Sequence, residues 1–401
     1  MLRWRLLIVV ACLSLLTIPL HDAAGQATPA PGLVAPTPVA PAQTTALFVR
    51  AVHDPLWTIG SDGMAHVAYD LILTNVFSSP VTLTGLEVLT PEGSALLVLA
   101  GEDLRAVTTP IFGGAPTAEI PASGALAVTL DLVVPPDAVP SHLTQRFTYA
   151  LPPNAPDRAL LSATTFTTAD VLVNPDAPLV IAPPLRGSGW LARNACCAPG
   201  PHRTARLTNE GTNIVNVELF AIDWVQLEDG RAFASDGARN ADHHAYGAEA
   251  LAVGDGVVAW VRDGAADNAP GVTPVATAPA DLGGNQIMIA LDSGAYAFYA
   301  HLQPGSLRVK PGDRVLASEV LALIGNSGAS DAPHLHFQLS EGPDPLTSVS
   351  LPFVIDAWTL EGAAQSDGTQ RGETGPQDAT SPLSGDIAAF PPRDAATPAP
   401  S

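Results

Sequence analysis

The sequence predicts an all-β protein with two domains, an immunoglobulin-like sandwich over residues 46–182 and a second domain over residues 183–360. Apolar residues alternate with polar ones in several runs, and few runs show the longer period of an amphipathic helix. The composition agrees, because 39 Pro and 34 Gly among 401 residues favour short strands joined by turns. A chain of this length can also bury two separate cores.

Four alternating runs define the first domain, with clusters of Pro, Gly and Ser between them. They are Ala65–Asn75, Val81–Val88, Ala125–Val133 and Gln145–Ala150. Strands at this spacing are typical of an antiparallel sandwich of immunoglobulin-like shape. His53, His66 and His142 have no common spacing, so we interpret them as surface or internally satisfied histidines and not as a site.

The N-terminal residues predict export. A basic start precedes the apolar run Leu6–Leu20 and a group of small residues. This is the order of a signal peptide, here residues 1–25, with the mature chain beginning near Gln26 or Thr28. The run is short for a bilayer span, and it continues past Cys12, which favours cleavage over lipidation at that cysteine. We therefore expect a secreted or cell-envelope protein that contacts a membrane only through its signal peptide.

Two further segments lack the residues that a core needs. Residues 26–45 are nearly all Pro, Ala, Thr, Gly and Val, which predicts an extended linker. Residues 361–401 carry few large apolar side chains, which predicts a disordered tail. The net charge of −21 argues against nucleic acid as a partner.

The stretch Asp331–Leu339 carries the strongest chemical signal in the second domain. If it forms a strand, Leu335 and Phe337 point into a core, while His334 and His336 project from the opposite face. A strand holds two neighbouring imidazoles more rigidly than a loop does. The pattern therefore favours a metal ligand placed next to a base.

Five fragments of the second domain occur in a recognisable order. They are Leu251–Val258, Tyr299–Leu302, Val309–Val315, Ile324–Gly328 and Pro333–Phe337. In order and approximate spacing they resemble the lysostaphin-type (LytM-like, duplicated hybrid motif) zinc metallopeptidases, and the resemblance extends from about Asp223 to Pro352. It implies a LytM-like β-sheet core domain that binds one zinc ion.

The resemblance also implies roles for individual residues. In that family the zinc is held by a His and an Asp four residues apart and by the second His of the HxH pair. Asp223 and His336 match the aspartate and the second His, and His334 and His301 match the base and polarising pair that flanks the scissile carbonyl. Zinc accepts imidazole nitrogen and carboxylate oxygen and keeps one position open for water.

One position departs from the family pattern. Leu219 stands four residues before Asp223, where it should share that residue's strand face, and leucine cannot bind zinc. Either the metal is lost or another side chain replaces the missing imidazole. We expect His202 to replace it, because the rigid turn Pro199–Pro201 limits where its ring can lie.

Other side chains near this region leave alternatives open. His243 and His244 precede the strand Leu251–Val258 and can be read as replacement ligands or as surface histidines on a loop. Cys196 and Cys197 can form a vicinal disulfide, pair between chains or supply a thiolate. We favour a vicinal disulfide that stiffens the turn before His202.

Two classes of function follow from the resemblance. The first is an exported zinc metalloendopeptidase that cuts peptide bonds of bacterial peptidoglycan. The second is a degenerate, non-catalytic LytM-like domain that binds a cell-wall hydrolase such as an amidase. Leu219 favours the second class, whereas Asp223, His301, His334 and His336 together favour the first. The long insert Asp263–Leu282 lies between two core strands and is a candidate wall of a substrate groove.

Overall fold

Two large hydrophobic cores organise the chain. The computed structural model describes residues 43–197, 199–364 and 374–392, where strands dominate, so the predicted all-β class is confirmed. The predicted signal peptide, most of the linker, and residues 365–373 and 393–401 lie outside the described residues. In the described ranges no helix is long and apolar enough to cross a bilayer. Gln43–Ser401 cluster as one compact unit, and the domain boundary at residues 182 and 183 stays a prediction.

Two antiparallel sheets enclose the first core. Their strands are β1 Leu47–Ala51, β2 Leu56–Ile59, β3 Ala65–Asn75, β4 Val81–Leu89, β5 Ala95–Ala100, β6 Thr108–Thr109, β7 Glu119–Ile120, β8 Ala125–Val134, β9 His142–Ala150, β10 Thr165–Thr167 and β11 Val171–Leu172. The helix α1 (Gly101–Ala106) and the 3-10 turns Pro136–Ala138 and Pro156–Leu160 connect them. One sheet has the order β1-β3-β8-β6, with β2 on β3, and the other has the order β10-β9-β4-β5, with β11 on β9 and β7 on β4. The immunoglobulin-like shape of this two-sheet domain stays a prediction.

Strand β3 is buried on both of its faces. Val67 and Tyr69 pack in the first core, whereas Ala68 belongs to the second core and Asp70 is completely buried. Successive residues of a strand point to opposite faces. The first domain therefore uses one face of β3 for its own core and the other face to contact the second domain.

The second domain is built on one large sheet. Its strands and those of two small two-stranded sheets, β14-β15 and β17-β22, are β12 Leu179–Ile181, β13 Gly187–Arg193, β14 Arg206–Asn209, β15 Asn213–Asn216, β16 Ile222–Gln226, β17 Glu249–Leu251, β18 Gly256–Arg262, β19 Asn285–Leu291, β20 Tyr296–Leu302, β21 Arg314–Val315, β22 Val320–Leu323, β23 Leu335–Ser340, β24 Ser350–Leu351, β25 Phe353–Ala363, β26 Gly375–Thr380 and β27 Asp386–Phe390. Short 3-10 turns lie at His202–Thr204, Asn240–Asp242 and Pro279–Asp281. The large sheet has the order β12-β25-β27-β13-β16-β23-β20-β19-β18-β21, with β24 on β23 and β26 on β25.

The predicted disordered tail is wrong for much of its length. Strand β25 runs to Ala363, and β26 and β27 also belong to the large sheet. Strand β27 lies between β25 and β13 and pairs with both, and Phe390 and Ala388 pack in the second core. The segment is poor in large apolar residues, so its strands depend on backbone hydrogen bonds to existing strands, which β27 finds on both sides and β26 on one.

His66 in strand β3 is ion-paired with two carboxylates. Its Nδ1 lies 3.0 Å from Asp131 Oδ2, and its Nε2 lies 3.3 Å from Asp62 Oδ2. Burial lowers the pKa of His66, but the carboxylates of Asp131 and Asp62 outweigh burial, so the net pKa is raised. The satisfied-histidine interpretation fits these contacts.

We expect His66→Gln to destabilise the protein more at about pH 6 than at about pH 9. A folded-state pKa above the unfolded value of roughly 6.5 contributes stability that is fully present below that value. This stability is lost as the pH rises through the folded-state pKa. The loss at low pH should lie within the roughly 1.5–3 kcal/mol typical of charged hydrogen bonds. Urea unfolding at both pH values measures it.

His142→Gln is the matched control for this measurement. His142 lies 3.7 Å from Asp170 in a more exposed contact, so its replacement should change the free energy of unfolding little. An equal loss for His66→Gln at both pH values would contradict the ion-pair account and point to packing alone.

Candidate metal centre

Three neighbouring strands bring Asp223 and His336 side by side. Asp223 of β16 pairs with His336 of β23, and His336 pairs on its other side with Ala300 of β20. Residues directly opposite one another place their side chains on the same face of a sheet. Leu335 and Phe337 pack in the second core, as the alternation predicts, so His336 faces the opposite side.

His301 reaches this face through a break in the ladder. In a regular strand its side chain would point away from that of Ala300 and into the core. The pairing of β19 with β20 shifts register between Asn285 and Ile287, and His301 has a φ of 61°. Such bulges re-aim side chains next to functional sites. The ring centroid of His301 consequently lies 4.6 Å from that of His334.

Leu219 does not lie on the ligand strand. Strand β16 begins at Ile222, and Leu219 lies in the turn before it, 1% exposed and packed in the second core. The expectation that Leu219 shares the strand face of Asp223 is therefore wrong. The physical reason is that a turn separates β15 from β16, so Leu219 and Asp223 do not belong to one continuous strand.

His202 brings an imidazole to Asp223 from a different part of the chain. It opens the 3-10 turn His202–Thr204, and its Nε2 lies 3.3 Å from Asp223 Oδ2. On the other side, His336 Nδ1 lies 3.0 Å from Asp223 Oδ1. One potential ligand atom from each of the three residues lies within 4.8 Å of the others. That spacing suits donors around one zinc ion with bonds of roughly 2.0–2.2 Å.

Outer hydrogen bonds orient both imidazoles. His202 Nδ1 lies 3.1 Å from the Asn194 carbonyl oxygen and 3.2 Å from that of Ala221, so this nitrogen donates its proton outward and Nε2 faces Asp223. Gln338 Nε2 donates to the Val217 carbonyl, which turns Gln338 Oε1 toward His336 Nε2 at 3.0 Å. His336 therefore donates from Nε2 and presents Nδ1 to Asp223. This outward donation is how proteins orient histidine ligands of metals.

Electrostatics favours positive charge at this place. Burial lowers the pKa of His202, but the Asp223 carboxylate outweighs it and raises the pKa to about 9. Burial also opposes protonation of His336, yet Asp223 raises the pKa of that ring as well. For Asp223, burial acts to raise the pKa, but His202 and His334 hold it well below its usual range. The pocket around Asp223 thus stabilises the kind of positive charge that a divalent cation carries.

His301 and His334 form a second pair beside this cluster. Burial and the nearby rings of His334 and His336 hold the pKa of His301 well below its usual range. Burial lowers the pKa of His334 too, outweighing the nearby Asp223 carboxylate. His301 Nδ1 donates to the Ser327 carbonyl at 2.8 Å, and His334 Nδ1 donates to the Ala332 carbonyl at 2.8 Å. The lowered pKa values favour the neutral form of both rings, with Nδ1 as the donor, and His334 Nε2 lies 3.6 Å from Asp223 Oδ1.

Comparison with known proteins assigns this part of the chain. The model of Peptidase family M23 matches residues 241–347. Residues 241–347 form an M23 peptidase domain. The match contains His301, His334 and His336, whereas His202 and Asp223 precede it. The predicted resemblance to lysostaphin-type peptidases is confirmed.

A curated relative is similar to this chain over a short stretch. The glycyl-glycine endopeptidase ALE-1 of Staphylococcus capitis is 44% identical over 57 residues, which are 14% of this chain and 15% of the relative. The chain therefore matches only a small part of that relative's length.

Solved structures are similar at lower identity. The catalytic domain of the prophage-encoded M23 protein EnpA of Enterococcus faecalis is 20% identical, and the match covers 42% of this chain and 92% of that one with a TM-score of 0.26. The catalytic domain of lysostaphin from Staphylococcus simulans is 22% identical, with 34% and 78% covered and a TM-score of 0.21.

The M23 domain and its neighbours surround a cleft of about 1360 Å³. The donor cluster and the two flanking histidines line it. Part of one wall is formed by Thr273, Ala280 and Leu282. These residues belong to the insert Asp263–Leu282, which the sequence predicts as a candidate wall of a groove. Phe112 of the first domain also lines the cleft and is 65% exposed. Both domains therefore line the cleft.

The other candidates are not brought to the cluster. His243 Nε2 lies 3.1 Å from the Gly237 carbonyl oxygen, and His244 Nδ1 lies 3.4 Å from Glu228, so both histidines have local partners. Cys196 and Cys197 form a vicinal disulfide, in agreement with the favoured prediction. It lies in the segment between strand β13 and the His202 turn.

Sequence reasoning missed two residues that hold the cluster. Asn194 Nδ2 donates to Asp223 Oδ2 at 2.7 Å, and no motif marks this asparagine. Gln338 orients His336, and the sequence contains a pattern that indicates this role. Gln338 stands two residues after His336, so both side chains point to the same face of β23, and a glutamine buried on such a face needs a polar partner.

Proposed function

We propose that this protein is an exported zinc metalloendopeptidase that hydrolyses peptide bonds of bacterial peptidoglycan. The observation that carries the proposal is the position of His202, whose Nε2 lies 3.3 Å from Asp223 Oδ2. His336 Nδ1 lies 3.0 Å from the same carboxylate. Two imidazoles and one carboxylate therefore come together, and His202 supplies the imidazole that Leu219 cannot. This supports a hydrolytic site over a degenerate one.

The donor set fits zinc. Two imidazole nitrogens and one carboxylate oxygen are the three protein ligands of many catalytic zinc sites. His202 Nε2 and His336 Nδ1 are the ring nitrogens left facing inward once their partners have accepted the other N–H. Asp223 would be the third ligand, itself held by Asn194. When bound, zinc supplies Lewis-acid polarisation and activation of water near neutral pH.

The flanking histidines then have roles that their own contacts support. His334 is neutral and donates from Nδ1 to the Ala332 carbonyl, so its Nε2 accepts a proton from the attacking water and returns it to the leaving amine. His301, with Nδ1 held by the Ser327 carbonyl, acts from the other side of the reacting carbonyl. Both rings lose mobility through these bonds, which keeps the reacting geometry.

Peptide substrates are supported by the cleft and by a relative. The cleft is lined by apolar side chains such as Trp260 and Phe298 and by polar ones such as Glu218 and Gln286, together with the histidines, which suits a peptide chain. A stretch of 57 residues is also 44% identical to the glycyl-glycine endopeptidase ALE-1 of Staphylococcus capitis. Peptidoglycan cross-bridges made of glycine or alanine are therefore the substrates we propose.

The rival function is a non-catalytic domain that binds a cell-wall hydrolase through the same cleft. The main argument for this function is that Leu219 cannot bind zinc. The imidazole of His202 beside Asp223 weakens that argument. A domain that only binds also has no need for neutral His301 and His334 rings beside the cluster.

Zinc content and hydrolysis measured on the same sample test the proposal. We expect the purified mature chain to bind about one zinc ion per molecule. It should release new amino groups from cross-linked peptidoglycan, lose this activity on chelation and regain it with zinc. Peptidoglycan with glycine bridges and peptidoglycan with direct cross-links, compared in parallel, identify the bond cut. A chain that binds zinc but cuts neither would favour the binding function.

Export is a separate expectation. We expect the mature protein to begin near Gln26 or Thr28, because a basic start, an apolar run and small residues follow in order. N-terminal sequencing of protein from the culture medium or cell envelope measures this. An intact Met1 or a lipid on Cys12 would contradict it.

A further inference from the structure

The turn that carries His202 contains one buried arginine and is followed by a second. Arg203 follows His202 directly and is 1% exposed, and Arg206 opens strand β14 and is 2% exposed. Two buried guanidinium groups within a few residues are costly unless acceptors surround them. Their partners therefore determine where the turn can lie.

These partners belong largely to the first domain. Arg206 Nε donates to Asp70 Oδ2 at 2.9 Å, and Arg203 Nη2 lies 3.5 Å from Asp70 Oδ1. Arg203 Nη2 also donates to the Leu130 carbonyl at 3.0 Å, and Arg206 bonds to Thr129. Asp70, Thr129 and Leu130 lie on β3 and β8, two neighbouring strands of one sheet of the first domain.

Asp70 is ionised and central to this contact. It is completely buried, on the face of β3 that points to the second domain. Burial acts to raise the pKa of Asp70, but Arg203 and Arg206 hold it below its ordinary value. Asn216 Nδ2 donates to Asp70 Oδ2 at 2.9 Å and to the Arg203 carbonyl at 2.9 Å, which connects the carboxylate to the backbone of the turn.

The regular sheet does not fix His202 as it fixes the other donors. Asp223 and His336 are held by paired neighbouring strands, whereas His202 lies in a 3-10 turn of three residues. Such a turn supplies few backbone hydrogen bonds of its own. Its place beside Asp223 therefore depends on side-chain contacts, both those of its own ring with the Asn194 and Ala221 carbonyls and those of the next residue, Arg203.

We propose that the first domain is a structural component of the metal centre, in which Asp70 positions the ligand His202 through Arg203 and Arg206. This inference rests on the proposed function, in which His202 binds zinc. Asp70 is a positioning residue, since it touches neither the metal nor the substrate.

The test uses the full mature chain with the single substitution Asp70→Asn. Two measurements are made on the metal-free protein: zinc affinity by competition with a chromophoric chelator, and amide hydrogen exchange by mass spectrometry. We expect zinc affinity to fall about tenfold or more, as for loss of an outer-shell partner. Exchange should become faster in residues 200–206, while strands β16 and β23 keep their protection.

Arg50→Ala is the matched control. Arg50 Nη2 donates to Asn213 at 2.9 Å in an exposed contact between the same two domains. This contact involves neither His202 nor its partners. Its zinc affinity and exchange pattern should equal those of the wild type. If Asp70→Asn does not fold, Asn216→Ala receives the same two measurements, because it removes the amide that joins Asp70 to the turn and otherwise loses one bond from the Glu218 backbone N–H.

The outcomes separate the two hypotheses. Wild-type zinc affinity in Asp70→Asn, or in Asn216→Ala if that variant is the one measured, overturns the positioning role. Loss of affinity with exchange raised evenly over both domains also overturns it, since this indicates general destabilisation. The proposed function is refuted instead if the wild-type chain does not bind zinc. It is also refuted if His202→Ala binds zinc with the same affinity as the wild type.

Discussion

His334→Ala is expected to abolish turnover while leaving zinc content nearly unchanged, whereas His336→Ala should remove the metal. His334 is neutral, with Nδ1 bound to the Ala332 carbonyl, and its Nε2 is placed for proton transfer. General acid–base groups of this kind contribute roughly 10²- to 10⁴-fold to the rate. His336 presents Nδ1 directly to Asp223 at 3.0 Å, so its loss removes a ligand atom.

The two variants separate the roles because each has two readouts. Zinc per chain is measured by metal analysis after gel filtration, and turnover is measured by release of amino groups. His244→Ala is the matched control, since His244 contacts Glu228 and not the cluster, and it should match the wild type in both readouts. Equal loss of metal in His334→Ala and His336→Ala would show that the assignment of base and ligand is wrong.

His202→Ala is the second substitution with a large expected effect. Zinc affinity should fall by more than the roughly 10- to 100-fold that an outer-shell partner costs, because only Asp223 and His336 would remain as ligands. Hydrolysis at limiting zinc should fall in parallel. Excess zinc should restore part of the activity, since His301 and His334 are untouched.

The double variant Leu219→His with His202→Ala sharpens this test. If position 219 were the native ligand position, the new histidine would restore zinc binding. Leu219 instead lies in a turn and packs in the second core, so we expect no restoration and a loss of stability from burying a polar ring. Recovery of tight zinc binding by the double variant would contradict the place assigned to His202.

Local patterns in the sequence were sufficient for the fold class and for most of the chemical groups. Strand alternation depends on neighbouring residues alone, and so Leu335 and His336 were assigned to opposite faces of β23 without a structure. The HxH pair and Asp223 belong to motifs whose order along the chain carries the resemblance. These patterns can be interpreted from the sequence alone because each is contained in one strand or one short turn.

The tertiary structure decided what depends on contacts between distant segments. The approach of His202 to Asp223 follows from the docking of Arg203 and Arg206 on Asp70, a residue of the other domain. The direction of the His301 ring follows from a bulge in one strand pair. Strand β27 forms because β25 and β13 lie on either side of it. In each case the decisive free energy comes from a partner far along the chain, which no local pattern encodes.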